Sequence, residues 1–303
     1  MTVTAPHRET EPENLTGRMA SGRARGRGWL ATIIMIAFFV YFMIPLAWLV
    51  IASTKNNGDL FSTFGFWFSS HFNLFTNIHA VFAYSNGVFL RWMLNSLIYA
   101  VVSAAGASFL ATAAGYGFAK YQFPAKGLVL GVVLGAIAVP TTALAIPTYL
   151  LFSKIGIVNT PWAIILPSMV NPIGVFLMRV YAGDAIPDSL IESGRLDGAS
   201  DIGIFFRIGL RMLVPGLITV FLFSLVSTWN NYFLPLVMLN NPKLYPITVG
   251  LAQLNATANA GGGSQALFSV VVTGSLLSII PLIVAFLLLQ RFWQSGLSAG
   301  AVK

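Results

Sequence analysis

The sequence predicts an all-α integral membrane protein with six transmembrane helices. Of its 303 residues, 56% are hydrophobic and only 9% are charged, whereas a soluble domain carries roughly 25% charged residues. A bilayer core of about 30 Å requires about 20 helical residues for each crossing. Six apolar runs of suitable length contain no Asp, Glu, Lys or Arg: Trp29–Ala52, Trp92–Ala119, Gly127–Leu151, Pro161–Met178, Met212–Met238 and Leu267–Gln290.

The chain is expected to consist of a short tail followed by one membrane domain. Residues Met1–Gly28 are polar and rich in Gly and Arg, so they are predicted to form a disordered cytoplasmic tail. The apolar run that follows is longer than the core of a secretory signal, about 7–15 residues, and is interpreted as an uncleaved anchor. Residues 29–303 are then expected to form the six-helix transmembrane domain.

The distribution of Lys and Arg predicts that both termini are cytoplasmic. Cytoplasmic loops are enriched in these residues, and an even number of spans puts both termini on one side. Of the 17 Lys and Arg residues, thirteen fall on the side of the termini, and the four others are Lys55, Arg91, Lys154 and Lys243. This bias accounts for the formal net charge of +8, so no nucleic-acid partner is expected.

Two predicted loops lie outside the cell. The first, Ser53–Arg91, is rich in aromatic side chains, which favour the membrane–water interface, so part of it is expected to lie on the membrane surface. The aromatic residues concerned are Phe61, Phe64, Phe66, Trp67, Phe68, Phe72 and Phe75. The second loop, Asn240–Ala266, includes a stretch expected to be flexible, Gly261–Ser264.

The predicted spans lack the groups that an ion-coupled carrier or an ATPase requires. Ion-coupled transporters usually place titratable residues within the bilayer, but His7, His71 and His79 all lie outside the spans. No G-x-x-x-x-G-K-[ST] loop is present to hold phosphates, and Gly115-Tyr116-Gly117 is interpreted as close helix packing. The chain is therefore not expected to be an enzyme, and it is not expected to bind a metal or a cofactor. Coordination of Na⁺ by backbone or hydroxyl oxygens remains an alternative.

The longest predicted cytoplasmic loop, Arg179–Arg211, has the pattern of two short helices joined by a turn. It holds five of the nine acidic residues of the chain. Pro187 suits the start of a helix, and Gly198 suits the left-handed position just after its end. Ser200 can then cap the second helix. A loop so dense in charge of both signs suggests a docking surface.

One face of the first short helix is expected to dock in a cleft of a partner. Leu190, Ile191 and Gly194 recur at near-helical spacing and form a small apolar face. Glu192 lies in the same short helix. The alternative is a capping box, Ser189-x-x-Glu192, in which the carboxylate only satisfies the start of the helix.

These motifs resemble those of the carbohydrate ABC-importer permeases of the maltose type. That family shares a docking loop with the pattern E-A-A-x-x-D-G-A. The chain matches it at Glu192 and at Asp197-Gly198-Ala199, with Ser193 and Gly194 in place of the two alanines. The similarity extends along nearly the whole chain, at Arg91–Ser96, Tyr121–Pro124, Ile146–Leu150, Trp229–Pro235 and Gly296–Lys303.

The resemblance implies the fold of a type I ABC-importer permease and a role as half of the pore of an ATP-driven sugar importer. The counterpart of Glu192 in that family faces a basic residue of the ATPase. The ATPase-coupling residues implied here are therefore Glu192, Ser193, Gly194, Asp197, Gly198 and Ala199. The implied partners are a second, non-identical permease, two ATPase subunits that hold ATP and Mg²⁺, and an external solute-binding protein, in a bacterial or archaeal cell membrane.

Two other functions remain open at this point. One is an importer of the same kind for glycerol phosphate or another small polar solute, although the absence of basic residues in the spans argues against a phosphorylated cargo. The other is a stand-alone secondary transporter in which the inner loop is only a connector.

The solute pathway is predicted near the outer end of the fifth span, where aromatic rings lie beside amide and hydroxyl groups that suit a sugar. The candidate residues are Trp229, Asn230, Asn231, Tyr232 and Asn95. Pro140 and Pro147 fall near one face of the third span and indicate an irregular helix that lines a cavity. The alternative is that the asparagines bond between helices and Trp229 anchors the interface. The resemblance also implies that the companion permease holds most sugar contacts.

Overall fold

The structure is a computed structural model that describes residues 21–260 and 267–299, and these residues contain helices but no β-strand. The first half of the chain contains α1 (Ser21–Ser53), α2 (Asn57–Ser62), α3 (Leu74–Ala83), α4 (Val88–Lys120), α5 (Lys126–Ile137), α6 (Ala145–Lys154) and α7 (Trp162–Ser168). The second half contains α8 (Pro172–Ala185), α9 (Asp188–Leu196), α10 (Asp201–Ile204), α11 (Leu210–Trp229), α12 (Phe233–Met238), α13 (Ile247–Ala260) and α14 (Phe268–Ala299). A π-helical segment, Phe205–Gly209, joins α10 to α11 without a break.

Five helical stretches are long and apolar enough to cross a membrane, by length and composition alone. They are Trp29–Ser53, Leu74–Lys120, Trp162–Ala185, Asp201–Trp229 and Phe268–Gln290. Each corresponds to one predicted span, so the all-α membrane fold is confirmed.

The predicted third span, Gly127–Leu151, is not one continuous helix. α5 ends at Ile137 and α6 begins only at Ala145, because Pro140 has no N–H group for a helical bond and its ring disfavours a helical residue before it. The sequence predicts that Pro140 and Pro147 fall near one helical face. This is wrong, because Pro140 lies between the two helices. α5 and α6 contain 12 and 10 residues, and their combined length of roughly 33 Å fits one broken crossing.

Two other predicted spans are also interrupted. The fourth is broken before α8, where the side chain of Asn171 caps the helix by accepting a bond from the Gly174 N–H at 2.8 Å. The fifth was expected to reach Met238, but α11 ends at Trp229 and a separate short helix follows. Both breaks occur beside polar residues within otherwise apolar runs, because local side-chain bonds compete with the helical ladder.

The predicted tail, Met1–Gly28, overlaps the first helix. Residues 1–20 lie outside the described part of the chain, but the eight residues before Trp29 already belong to α1, which begins at Ser21. The prediction of disorder up to Gly28 is wrong for these residues. Extending an existing helix by one residue is far easier than starting one, and Arg and Ala are good helix formers. The Gly261–Ser264 stretch also lies outside the described residues.

α4 is the central helix of the bundle and packs most extensively on α11 and α8. Glycine permits a close approach of α4 to α8: a Cβ added at Gly115 would lie 2.6 Å from the Met178 Cβ. This confirms the predicted close packing at Gly115. A Cβ at Gly117 would meet nothing within 4 Å, so the second glycine of that motif has no such role.

Two of the buried apolar clusters lie toward opposite ends of α4, and they are called outer and inner here after the sides predicted from the sequence. The outer cluster contains Phe89, Trp92 and Trp229, and the inner cluster contains Tyr116, Met178 and Ile204 near the loop between α8 and α11. α1 lies at the edge, packs on α14 and exposes all residues from Trp29 to Trp48. The two clusters thus position two candidate sites at opposite ends of the bundle.

Candidate functional site

The loop between α8 and α11 folds as the sequence predicts. α9 follows Pro187 directly and ends at Leu196, and Gly198 adopts the left-handed conformation with φ of +78°. The Ala199 N–H bonds to the Gly194 carbonyl and the Gly198 N–H to the Arg195 carbonyl, both at 3.0 Å. These two bonds form a Schellman motif, which satisfies the last carbonyls of the helix.

The second short helix is capped as expected and continues into the membrane. The Ser200 hydroxyl accepts a bond from the Gly203 N–H at 3.2 Å, which confirms its predicted role as an N-cap. α10 then runs through the π-helical segment into α11. The loop therefore connects one surface helix, α9, to a helix that crosses the bundle.

The apolar face of α9 points into this chain, not toward a partner. Ile191 and Gly194 are buried, and Leu190 is half-buried. A Cβ added at Gly194 would lie 3.2 Å from Ile204 Cγ1, so α9 seats closely on α10. The expectation that this face enters a partner's cleft is wrong, because periodicity identifies an apolar face but not the surface that covers it.

The outer face of α9 is open. Glu192 and Ser193 are exposed, as are Asp197 and Gly198 just beyond the helix. Among the residues that the structure describes, Glu192 has no hydrogen bond or ion pair. The capping box is absent, because Pro187 takes the N-cap position and no side chain caps the helix. The Glu192 carboxylate is thus free to meet a cation of another molecule.

Sequence reasoning missed an exposed apolar residue in this site. Leu196, at the last turn of α9, is 89% exposed, and Ile202 at the start of α10 is 72% exposed. The available signal was that Leu196 lies off the buried face of the helix, since it is two residues from Gly194. An exposed leucine beside an unpaired carboxylate is typical of a protein contact surface.

Two ion pairs connect α9 to neighbouring helices. Lys120, at the end of α4, bonds to Asp188 Oδ1 at 2.8 Å and to the Gly183 carbonyl at 3.4 Å. Arg195 Nε donates to Asp201 Oδ1 at 2.9 Å, and this bond raises the pKa of the Arg195 guanidinium. The Lys120 side chain is only 5% exposed, so it is enclosed between the ends of α4 and α8.

At the outer end of α11 the predicted pathway residues differ in accessibility. Trp229 is buried in the outer apolar cluster, whereas Asn230 is exposed and Tyr232 is 42% exposed. Asn231 Oδ1 accepts the Leu234 N–H at 3.3 Å, and its carbonyl accepts the Thr248 hydroxyl at 2.8 Å. Asn230 and Tyr232 are therefore the residues of this group that are open to a solute.

Asn95 holds an outer loop in place. Its amide donates to the Lys243 and Tyr245 carbonyls at 2.9 and 3.0 Å. Neighbouring polar side chains of the same helical face bind the same loop: Arg91, Trp92, Ser96 and Tyr99. The spacing of these residues along α4 is the signal that sequence reasoning did not use.

Comparison with known proteins identifies a family and several relatives that match most of the chain. Residues 107–296 match the family described as binding-protein-dependent transport system inner membrane component. The chain is 30% identical over 278 residues to the arabinooligosaccharides transport system permease protein of Halalkalibacterium halodurans, with 91% of this chain and 96% of that protein covered. It is 29% identical over 275 residues to the lactose transport system permease protein of Rhizobium radiobacter, with 90% and 94% covered.

A solved structure shows the same fold. It is that of a bacterial ABC transporter involved in the import of the acidic polysaccharide alginate, and one of its chains superposes with a TM-score of 0.76. The sequence identity is 20%, and the match covers 90% of this chain and 98% of that chain. Together with the family match and the apolar helices, this identifies a multi-pass inner-membrane protein. The chain belongs to the family of binding-protein-dependent transport system inner membrane components.

Proposed function

We propose that this chain forms half of the translocation pore of an ATP-driven importer for a sugar or oligosaccharide. The family match supports the importer, and the names of the arabinooligosaccharide and lactose relatives support the cargo. The predicted spans carry no Asp, Glu, Lys, Arg or His, so the pathway through them is uncharged. Such a pathway suits an uncharged sugar.

The observation that carries the coupling proposal is the outer face of α9. It presents an unpaired carboxylate, Glu192, one helical turn from the exposed Leu196, and such a face can bind a basic residue and an apolar cleft of an ATPase. Ser193, Asp197, Gly198 and Ala199 complete the contact surface or its turn. Gly194 lies on the opposite, buried face and supports the position of α9, because its lack of a side chain lets the helix pack closely on Ile204.

The partners follow from this assignment. ATP and Mg²⁺ bind to two separate ATPase subunits, and this chain binds no cofactor of its own. A second, non-identical permease completes the pore, and an external binding protein delivers the solute. Both termini and the α9 surface lie in the cytoplasm, in agreement with the thirteen Lys and Arg residues predicted on that side.

Within the pore, we assign solute contact to the accessible part of the predicted group. Asn230 and Tyr232 offer an amide and an aromatic ring at the outer end of α11. Three other residues of the group support this region: Trp229 by packing in the core, and Asn231 and Asn95 by hydrogen bonds to the backbone. Replacement of Tyr232 by Phe keeps the ring and removes only the hydroxyl, so it separates stacking from hydrogen bonding.

The coupling proposal is tested by reversing one charge. Glu192→Lys, assembled with its partner permease, ATPase and binding protein in proteoliposomes, should abolish ATP-driven uptake of radiolabelled oligosaccharide while the protein still inserts and folds. Asp184→Lys is the matched control, because Asp184 is also an exposed acidic residue of the same loop region, and it should transport normally. Normal uptake by Glu192→Lys would reject the coupling role.

A second experiment tests the function as a whole against a secondary transporter. Proteoliposomes that contain this chain alone, with an imposed proton or Na⁺ gradient, should not accumulate the oligosaccharide. Accumulation under those conditions would show that the chain carries its own energy coupling and would overturn the assignment.

A further inference from the structure

The loop between α1 and α3 presents an uncharged aromatic surface. The segment Phe61–Phe75, called here the outer aromatic segment, contains six Phe and one Trp with exposed fractions of 47% to 76%. The residues are Phe61, Phe64, Phe66, Trp67, Phe68, Phe72 and Phe75. No Asp, Glu, Lys or Arg occurs from Leu60 to Leu90, so this surface lacks the charges of an ordinary water-exposed loop.

Contacts with α14 fix the depth of this segment. The Phe61 ring packs edge-on against Phe268 with ring centroids 5.1 Å apart. Phe268 begins the apolar stretch Phe268–Gln290, which has 23 residues and is therefore roughly 33 Å long. A hydrocarbon core measures about 30 Å, or about 40–45 Å with the headgroup regions, so Phe61 lies at the boundary between hydrocarbon and headgroups.

Both ends of the segment are held near the same level. The Asn73 N–H donates to the Thr54 carbonyl at 2.8 Å, and the Thr273 hydroxyl lies 3.5 Å from the Ser53 carbonyl. Thr273 lies roughly 25 Å along α14 from Gln290, which is close to the edge of the hydrocarbon core. The segment therefore runs along the membrane boundary.

A buried lysine fastens the segment from within. Lys55 is 1% exposed, and its ammonium donates to the Thr63 hydroxyl at 2.9 Å and to the Phe64 carbonyl at 2.7 Å. Asn77 binds the carbonyls of Ser53 and Lys55, both at 2.8 Å. The ammonium of Lys55 is thus turned inward, whereas the aromatic rings are exposed.

We propose that the outer aromatic segment is a lipid-binding surface that lies in the headgroup region of the outer leaflet. Aromatic side chains are enriched at this depth because the interface accommodates their rings better than water does. The segment is continuous with membrane-spanning helices on both sides, which favours a lipid surface over a protein partner. This inference does not depend on the cargo or on the coupling role of α9.

The experiment uses the fact that the chain has no Cys. Single variants Phe64→Cys and Phe75→Cys are labelled with an environment-sensitive fluorophore in nanodiscs of phosphatidylethanolamine and phosphatidylglycerol. The control is Ala256→Cys, an exposed position on α13 next to Thr257, which lines a cavity together with Tyr84 and Ser85 and with none of the aromatic residues of the segment. Ser62→Cys, on a polar exposed side chain, provides a fourth label should a Phe replacement impair folding.

Labels in the segment should emit at shorter wavelength than the control. Nitroxide lipids labelled near the headgroup should quench them several-fold more than lipids labelled at the bilayer centre, and aqueous iodide should quench them several-fold less than the control. Equal iodide quenching at all positions would overturn the proposal. Shielding that appears only when the solute-binding protein is added would overturn it too, because the surface would then be a protein contact.

Discussion

The contact between α4 and α8 gives a sharp test of the packing, through two glycines of one motif. In Gly115→Ala the new Cβ would lie 2.6 Å from the Met178 Cβ and 2.7 Å from the Arg179 backbone nitrogen. Carbon atoms in contact prefer about 3.5–4.0 Å, so α8 must move away by about 1 Å. The obstacle is partly backbone, which cannot rotate aside as a flexible side chain would. Such overpacking costs about 1–3 kcal/mol of unfolding free energy.

Gly117→Ala is the matched control, because its Cβ would meet nothing within 4 Å. Both variants gain helix propensity of about 1 kcal/mol, so the difference between them isolates the packing cost of about 1–3 kcal/mol. At about 2–4 °C per kcal/mol, Gly115→Ala should unfold roughly 2–12 °C below Gly117→Ala. Thermal unfolding in detergent, followed by tryptophan fluorescence, measures this. Equal midpoints would refute the close approach of the two helices.

Two further predictions concern the ends of the bundle. Lys55→Met keeps the aliphatic stem but removes the bond from the ammonium to the Phe64 carbonyl, and such a charged bond is worth about 1.5–3 kcal/mol. Chymotrypsin should therefore cleave the outer aromatic segment faster. Unchanged cleavage would contradict the role of Lys55 in holding the segment. Gly194→Val should overpack against Ile204 and lower uptake in the assembled importer. Asp201→Asn should have little effect on uptake, because its ion pair with Arg195 is half-exposed and such pairs contribute about 0–1 kcal/mol. The opposite order would show that the ion pair, not packing, holds α9.

Local rules in the sequence predicted the caps of the inner loop correctly. Proline, glycine and serine act through their own backbone or side chain, so Pro187, Gly198 and Ser200 lie where the pattern placed them. The same holds for Gly115, whose lack of a side chain matters only in a close contact. These features depend on a few neighbouring residues, and the sequence contains all of them.

Features that depend on the rest of the fold were not accessible in this way. The apolar face of α9 was predicted, but only the position of α10 shows that Ile204 of this chain covers it. Hydropathy also cannot reveal that an apolar run is broken, because Pro140 and its neighbours lower the mean too little to be noticed. The sequence predicts Asn95 as a pathway residue, with a bond to another part of the fold as the alternative, and its amide binds carbonyls about 150 positions along the chain.

The two candidate sites are the two ends of one helical element. Asp201–Trp229 contains 29 residues and is therefore roughly 42 Å long, more than a hydrocarbon core of about 30 Å. Its inner end contacts α9 through Ile204, and its outer end is the buried Trp229. A displacement of α9 must therefore reach the outer end or be absorbed by bending.

Bending has two preferred places in this element, because only there is the regular ladder of helical bonds interrupted. One is the π-helical segment Phe205–Gly209 and the other is Pro215. Both lie in the inner part of the element, and Gly209 packs closely on Tyr116 of α4. The outer part, from Pro215 to Trp229, lacks such a break and packs on α4. A motion imposed at α9 is thus expected to pivot near residues 205–215 and to move the outer end as a rigid unit.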